Sequence, residues 1–167
     1  MAAQRNSECV IVDPGIVPPA LGNFYHLMQR GGPMETMLAQ FGNPTIVKAA
    51  HVRELENREE LSLAGMSFTI EVAPGHTRGS TLFNVDNTYL ISGDVLFAGS
   101  IGRTDLPTGS ESEMKSTLIE KIVTLPEELI VLPGHGPQTT IGRELKRNPY
   151  LQEDYLGVEI RRLREGY

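Results

Sequence analysis

Residues 66–94, MSFTIEVAPGHTRGSTLFNVDNTYLISGD, carry the reading that decides the fold. Met66, Phe68, Ile70 and Val72 alternate with Ser67, Thr69 and Glu71, the period of two expected of a half-buried strand. Thr81–Val85 and Thr88–Ser92 flank Asp86-Asn87, a turn-prone pair, and predict an antiparallel hairpin. The first strand runs into Ala73-Pro74-Gly75-His76 and the third into Gly93-Asp94. Farther on, Glu128–Leu132 (ELIVL) is another buried strand, and like the first and third it runs into a glycine-led turn, Pro133-Gly134-His135-Gly136. Each strand thus ends in glycine followed by a histidine or an aspartate, a place where the backbone turns sharply and the next side chain projects over the sheet edge. If the three ends lie together, His76, Asp94 and His135 converge. Two imidazoles and a carboxylate form a donor set suited to zinc, iron or manganese. Taken singly, a histidine after glycine is more often a turn or cap residue than a ligand; Pro-Gly-His occurring twice, each time behind an apolar strand, brings the two readings level.

Outward from this stretch, short strands alternate with helical segments. Cys9–Val12 is a compact apolar run stopped by Asp13-Pro14-Gly15, which reads as a buried strand. Ile16–Asn23 holds two prolines and predicts no regular element. Met34, Met37, Leu38 and Phe41 recur at helical spacing after Pro33, whereas His51–Glu60 is so polar that it reads as a solvated helix or a loop. Ser110 or Ser112 can cap a helix with Met114, Leu118, Ile122 and Leu125 on one face, stopped by Pro126. In the tail from Tyr150 to Arg164, Leu156, Ile160 and Leu163 share a stripe, with acids early and arginines late as the helix dipole favours. The expectation is an α/β protein with residues 1–167 forming one domain.

Composition limits the functions available. The 167 residues carry 15 Lys+Arg against 21 Asp+Glu, a net charge of −6, with no basic run. Such a chain is poorly suited to phosphate backbones, so no nucleic-acid partner is expected. A single cysteine, Cys9, excludes an internal disulfide framework and a Cys-rich zinc module. No apolar stretch approaches the ~20 residues of a membrane span, and the start lacks the apolar run of a signal peptide. The expectation is therefore a cytoplasmic protein with no membrane partner.

The segments VIVDPG (10–15), PGHTRGS (74–80), ISGDVLF (91–97), GSIGRTDL (99–106), LPGHGPQTTIG (132–142) and NPYL (148–151), in that order, resemble the metallo-β-lactamase superfamily, and within it the glyoxalase II-like hydrolases. The resemblance implies a four-layer αββα sandwich with a metal site at one sheet edge. It makes His76 a ligand of a first metal, Asp94 the carboxylate bridging two metals, and His135 a ligand of the second. Asp13 becomes a support behind the ligands. Arg78 and Ser80 brace the turn after His76, and Arg103 and Asp105 pair to hold the loop after Asp94. Lys146 and Arg147 are either a solvated basic face or a contact for an anionic substrate tail.

The family's His-x-His-x-Asp-His motif, source of four of the seven ligands of a two-metal site, has no counterpart in this chain. Only residues 16–23 occupy its interval, so the fold class expected is an incomplete αββα metallo-β-lactamase-like sandwich with an internal deletion near 16–23. The remaining histidines, His26 among Phe24, Tyr25, Leu27 and Met28, and His51 three residues before Glu54, sit in no related motif. The cofactor expected is zinc, or iron or manganese in its place, bound weakly or below one ion per chain. The function implied is metal-dependent hydrolysis of a small-molecule thioester or related acyl substrate, impaired by the lost ligands. The alternative is a non-catalytic, truncated or engineered remnant that serves in binding or interaction. A lost strand would also expose a sheet edge, which predicts a homodimer paired through that edge.

Overall fold

Six strands in the order β10-β9-β6-β5-β4-β3 form the main sheet: β3 (Glu60–Leu63), β4 (Met66–Val72), β5 (Thr81–Val85), β6 (Tyr89–Gly93), β9 (Ile130–Pro133) and β10 (Thr139–Thr140). The computed structural model describes residues 55–165 and, for the backbone alone, β1 (Ala2–Arg5) and β2 (Glu8–Ile11), which pair with each other. By internal contacts the chain divides into two compact units. One comprises residues 1–2 and 11–54, and the other comprises residues 3–10 and 55–167. The second unit contains the sheet and everything that follows.

The hairpins of this sheet have local causes. Asp86 and Asn87 both adopt φ of 50°, the left-handed pair of a two-residue turn whose twist matches that of its strands. The Asp86 carboxylate also accepts the Ser67 N–H at 2.9 Å, tying the turn to β4. Ala64 and Gly65, at φ 49° and 71°, make the same kind of turn between β3 and β4. The stretch expected as polar helix or loop is a loop over the part described, 55–59, and its last residue, Glu60, opens β3.

β4, β5 and β6 run antiparallel in succession, and β6 pairs with β9 in parallel. β4, β6 and β9 therefore point the same way, and their C-terminal ends lie along one edge of the sheet. Between β6 and β9 come the small hairpin β7 (Leu96–Phe97) and β8 (Ser100–Ile101), then helix α1 (Glu111–Thr117), which continues as a π-helical turn over Leu118–Ile122. Ser110 caps α1: its hydroxyl accepts the Glu113 N–H, and Glu111 and Glu113 place negative charge in the first turn, where the dipole favours it.

One face of the sheet packs on these helices. Leu82, Leu90 and Val131 meet Met114, Leu118, Ile122, Leu129, Ile141 and Leu151 in a continuous core, all at most 2% exposed. Each such side chain contributes roughly 1.5–3 kcal/mol of transfer free energy. On β4, β5 and β6, Phe68, Ile70, Val85 and Ile91 are buried too, although the alternation of each strand places them on the opposite face. Both faces of the sheet are thus apolar and buried, as a layered α/β fold requires.

The C-terminal stripe corrects one expectation. The tail is a 3₁₀ turn at Pro149–Leu151, a short helix α3 (Glu153–Leu156) and a separate helix α4 (Ile160–Glu165), with α2 (Ile141–Arg147) before them. Gly157, at φ 73°, takes the left-handed position that closes α3 and redirects the chain. Leu156, Ile160 and Leu163 still reach the same core, from two helices.

Candidate metal centre

The three glycine-led turns meet. The Asp94 carboxylate lies between the two imidazoles, with Oδ2 3.5 Å from His76 Nε2 and Oδ1 3.7 Å from His135 Nε2. The parallel run of β4, β6 and β9 brings them together, and the Gly134 N–H donating to Gly93 O at 2.8 Å locks two of the turns side by side. The third turn is held from below. Gly75 O accepts the Ser110 N–H at 2.8 Å, and Thr117 donates its hydroxyl to Pro74 O at 2.7 Å.

A backbone carbonyl fixes the orientation of His76. Its Nδ1 is 2.8 Å from the carbonyl of Arg103, which can only accept, so Nδ1 carries a proton and Nε2 is the nitrogen that faces Asp94. Its side chain is 17% exposed, against 71% for His135, which rests on the Phe97 ring with centroids 4.3 Å apart. One imidazole is therefore enclosed, and the other borders solvent.

The donor types fit zinc, iron or manganese, and His76, Asp94 and His135 are the residues that would hold such an ion. Each histidine faces a different oxygen of the carboxylate, so the three side chains outline two adjoining half-sites of two donors each. Accordingly, among the described residues no three His, Cys, Asp or Glu side chains are placed to hold one ion by themselves.

Of the supporting residues expected from sequence, Arg103 and Asp105 pair in a two-pronged bridge, Nε to Oδ1 at 2.6 Å and a terminal nitrogen to Oδ2 at 2.7 Å. The hydrogen bond from Arg103 holds the Asp105 carboxyl down at a pKa of about 2. The pair stabilises the loop whose backbone carbonyl orients His76. Ser80 accepts the Thr77 N–H at 3.1 Å within the turn that carries His76, whereas Arg78 is exposed. Lys146 is bound to Glu127 at 3.2 Å, and Arg147 is exposed. Asp13, His26, His51 with Glu54, the helix expected after Pro33 and the interval 16–23 lie outside the described residues.

Sequence reasoning missed three contributors. Phe97 sits three residues beyond Asp94 and reads there as one more apolar residue. Glu144 and Asn148 read as helix-surface polarity, but both are buried, at 1% and 0% exposed. The TTIGRELKRNP segment (139–149) holds both at a spacing of four, one helical turn, which was the available signal.

Sequence comparison identifies the family to which this mixed sheet flanked by helices belongs. Residues 17–135 match the family model of the metallo-beta-lactamase superfamily. The chain belongs to that superfamily. It is 40% identical over 114 residues to hydroxyacylglutathione hydrolase GloC of Haemophilus influenzae, covering 67% of this chain and 54% of that protein. It is 43% identical over 98 residues to the probable metallo-hydrolase YqgX of Bacillus subtilis, covering 58% and 46%. Among solved structures it is similar to the BLEG-1 B3 metallo-beta-lactamase, with a TM-score of 0.61 and 39% identity over 70% of this chain and 56% of that one. TTHA1623, solved in a di-iron-bound form, has a TM-score of 0.59 and 35% identity, covering 70% and 57%. The chain spans about half the length of the curated relatives it matches.

Proposed function

We propose that this protein is a metal-dependent hydrolase of the glyoxalase II-like type, acting on a thioester or related acyl bond of a small molecule at a rate well below that of a relative with a complete ligand set. The observation that carries the reading is the Asp94 carboxylate held between the Nε2 atoms of His76 and His135. A divalent ion bound there supplies Lewis-acid polarisation of an acyl oxygen and a water of lowered pKa. The chain's own part is to hold that position. Arg103 O fixes the His76 tautomer, the Gly134–Gly93 bond fixes the spacing of the other two ligands, and the exposed side of His135 leaves room for substrate. Zinc is the metal proposed, with iron or manganese as alternatives, because imidazole and carboxylate suit all three. The low rate follows from donor count, since neither half-site has the four donors that zinc prefers.

That same shortfall favours a second reading, a non-catalytic remnant of the fold that serves in binding. One experiment separates the two. The purified chain is dialysed against zinc, iron(II) or manganese, its metal content is measured, and S-lactoylglutathione hydrolysis is followed beside Asp94→Asn. Metal-dependent turnover that Asp94→Asn abolishes supports the hydrolase. A chain that retains no metal and stays silent after reconstitution is the remnant.

A homodimer belongs to the same proposal. β3 lies at one end of the sheet among the described residues, with Leu63 41% exposed, and an open edge of this kind pairs readily with another copy. Size-exclusion chromatography of the wild type and Leu63→Lys tests it: a dimer that the lysine dissociates is expected, and a wild-type monomer refutes it.

A further inference from the structure

Glu144 is one of the largest fully buried side chains of the described fold, and the metal centre makes no direct use of it. Its carboxylate accepts three hydrogen bonds: the Thr139 hydroxyl on Oε1 at 2.6 Å, and on Oε2 the Gly99 N–H at 2.7 Å and the Asn148 amide at 2.9 Å. No ion pair accompanies them among the described residues. A buried carboxylate held only by neutral donors is costly to maintain unless every partner is in place. All three partners lead to the β7–β8 hairpin or its anchor. Gly99 is in the turn of that hairpin. Asn148 continues from the carboxylate to Ser100 O at 3.0 Å and Phe97 O at 3.4 Å. Asn148 Oδ1 accepts the Tyr150 N–H at 3.0 Å, which joins the network to the 3₁₀ turn. Thr139 lies four residues after His135, in the strand that follows it.

The hairpin fixed in this way carries Phe97, whose ring supports the His135 imidazole at 4.3 Å. His135 is otherwise 71% exposed on a loop of glycine and proline, and among the described residues no hydrogen bond sets its ring orientation. His76 has a carbonyl to orient it, whereas His135 has an aromatic ring. We propose that Glu144 is a positioning residue. By accepting from Gly99 and Asn148 it clamps the β7–β8 hairpin so that Phe97 holds the His135 ring in place beside Asp94. The clamp works through acceptor geometry, because the Gly99 N–H and the Asn148 amide need an oxygen at that point and make no demand on its charge.

The functional weight of this assignment rests on reading His135 as a ligand, but its test does not, because the test reads ring placement in metal-free protein. The probes are the carbon-bound proton resonances of the His135 imidazole at one fixed pH, which the current of the Phe97 ring displaces. Phe97→Leu defines the signal without the ring. Glu144→Gln keeps an oxygen for Gly99 and Asn148 and is expected to leave the resonances at the wild-type position. Glu144→Ala removes the acceptor and Glu144→Asp draws it back by a methylene; both are expected to move the resonances most of the way to the Phe97→Leu position. Because Glu144→Ala risks unfolding, Glu144→Asp carries the test if only that variant shows a cooperative thermal transition. A folded Ala or Asp variant with wild-type His135 resonances overturns the proposal, and so does a Gln variant that loses the signal as fully as Ala.

Discussion

Gly102 is the tightest backbone position beside the candidate metal centre, and Gly102→Ala tests the geometry there directly. A Cβ built there falls 1.8 Å from the Asp94 carbonyl oxygen and 3.0 Å from His76 Nδ1. Ordinary contact begins at 3.4 Å, so the methyl needs well over an ångström of movement from its surroundings. One of those surroundings is backbone, and the other is a ring tied to backbone. The Asp94 carbonyl belongs to the turn closed by the Val95 N–H on Ser92 O at 3.0 Å, and His76 Nδ1 is held on the carbonyl of Arg103, the residue after Gly102. Neither can swing aside as a side-chain tip would. Overpacking of this kind costs about 1–3 kcal/mol, which for a chain of this size lowers Tm by roughly 2–4 °C per kcal/mol. The same movement displaces Asp94 from His76, and a misplacement of ~1 Å at a reacting centre costs about a hundredfold in rate. In the proposed hydrolase, kcat therefore falls by that order in the fraction that stays folded. Gly79→Ala is the control: it lies in the same turn as His76 and has no atom within 4 Å of its built Cβ. Thermal unfolding followed by circular dichroism, with a zinc titration of the folded protein, reads both effects. A Gly102→Ala protein that matches Gly79→Ala in Tm and zinc affinity would refute the placement of Asp94 against residues 101–103.

Further expectations follow from the core, the caps and the exposed ion pair. Leu118 is fully buried where the helix meets the sheet, so Leu118→Ala is expected to cost about 2–5 kcal/mol, seen as a lower urea midpoint. Ser110→Ala removes the hydroxyl that accepts the Glu113 N–H and is expected to cost ~1 kcal/mol by the same measurement. Asp105 has a folded-state pKa of about 2, below its ordinary value of 3.8. The stability it adds is therefore present above pH ~4 and lost as pH falls through its folded pKa. The Tm gap between the wild type and Asp105→Asn is expected to be small, because the pair is fully exposed, and to close between pH 5 and pH 2. A gap that widens toward acid would contradict the Arg103–Asp105 pairing.

What could be read in the sequence was whatever short-range physics dictates. The alternation over residues 66–72, the Asp86-Asn87 turn, the Ser110 cap and the apolar face of Met114, Leu118 and Ile122 each depend on neighbours a few residues away, and each is found where it was expected. His76, Asp94 and His135 could be picked out as candidates because each follows a glycine at the end of an apolar strand. Their convergence was a conditional statement until strand order was known. The parallel pairing of β6 with β9, and the placement of β4 two strands away in the same direction, turn three similar local motifs into one site. The break at Gly157 is a local signal that the longer apolar stripe concealed: Leu156, Ile160 and Leu163 satisfy one core whether one helix or two present them.

Glu144 marks the other limit. Its sequence neighbours, Arg143 and Leu145 to Arg147, are those of an amphipathic surface helix, and the nearby partners Thr139 and Asn148 do not by themselves bury a carboxylate. Its partner Gly99 lies 45 residues away. Local periodicity therefore determined which segments become strands and helices, and which residues stand at the strand ends. Only the tertiary structure decided that a buried acceptor clamps the β7–β8 hairpin and that Phe97 lies on His135. Hydrogen bonds and ring contacts between distant segments form only after the sheet has fixed the distance between them, and no spacing along the chain encodes that distance.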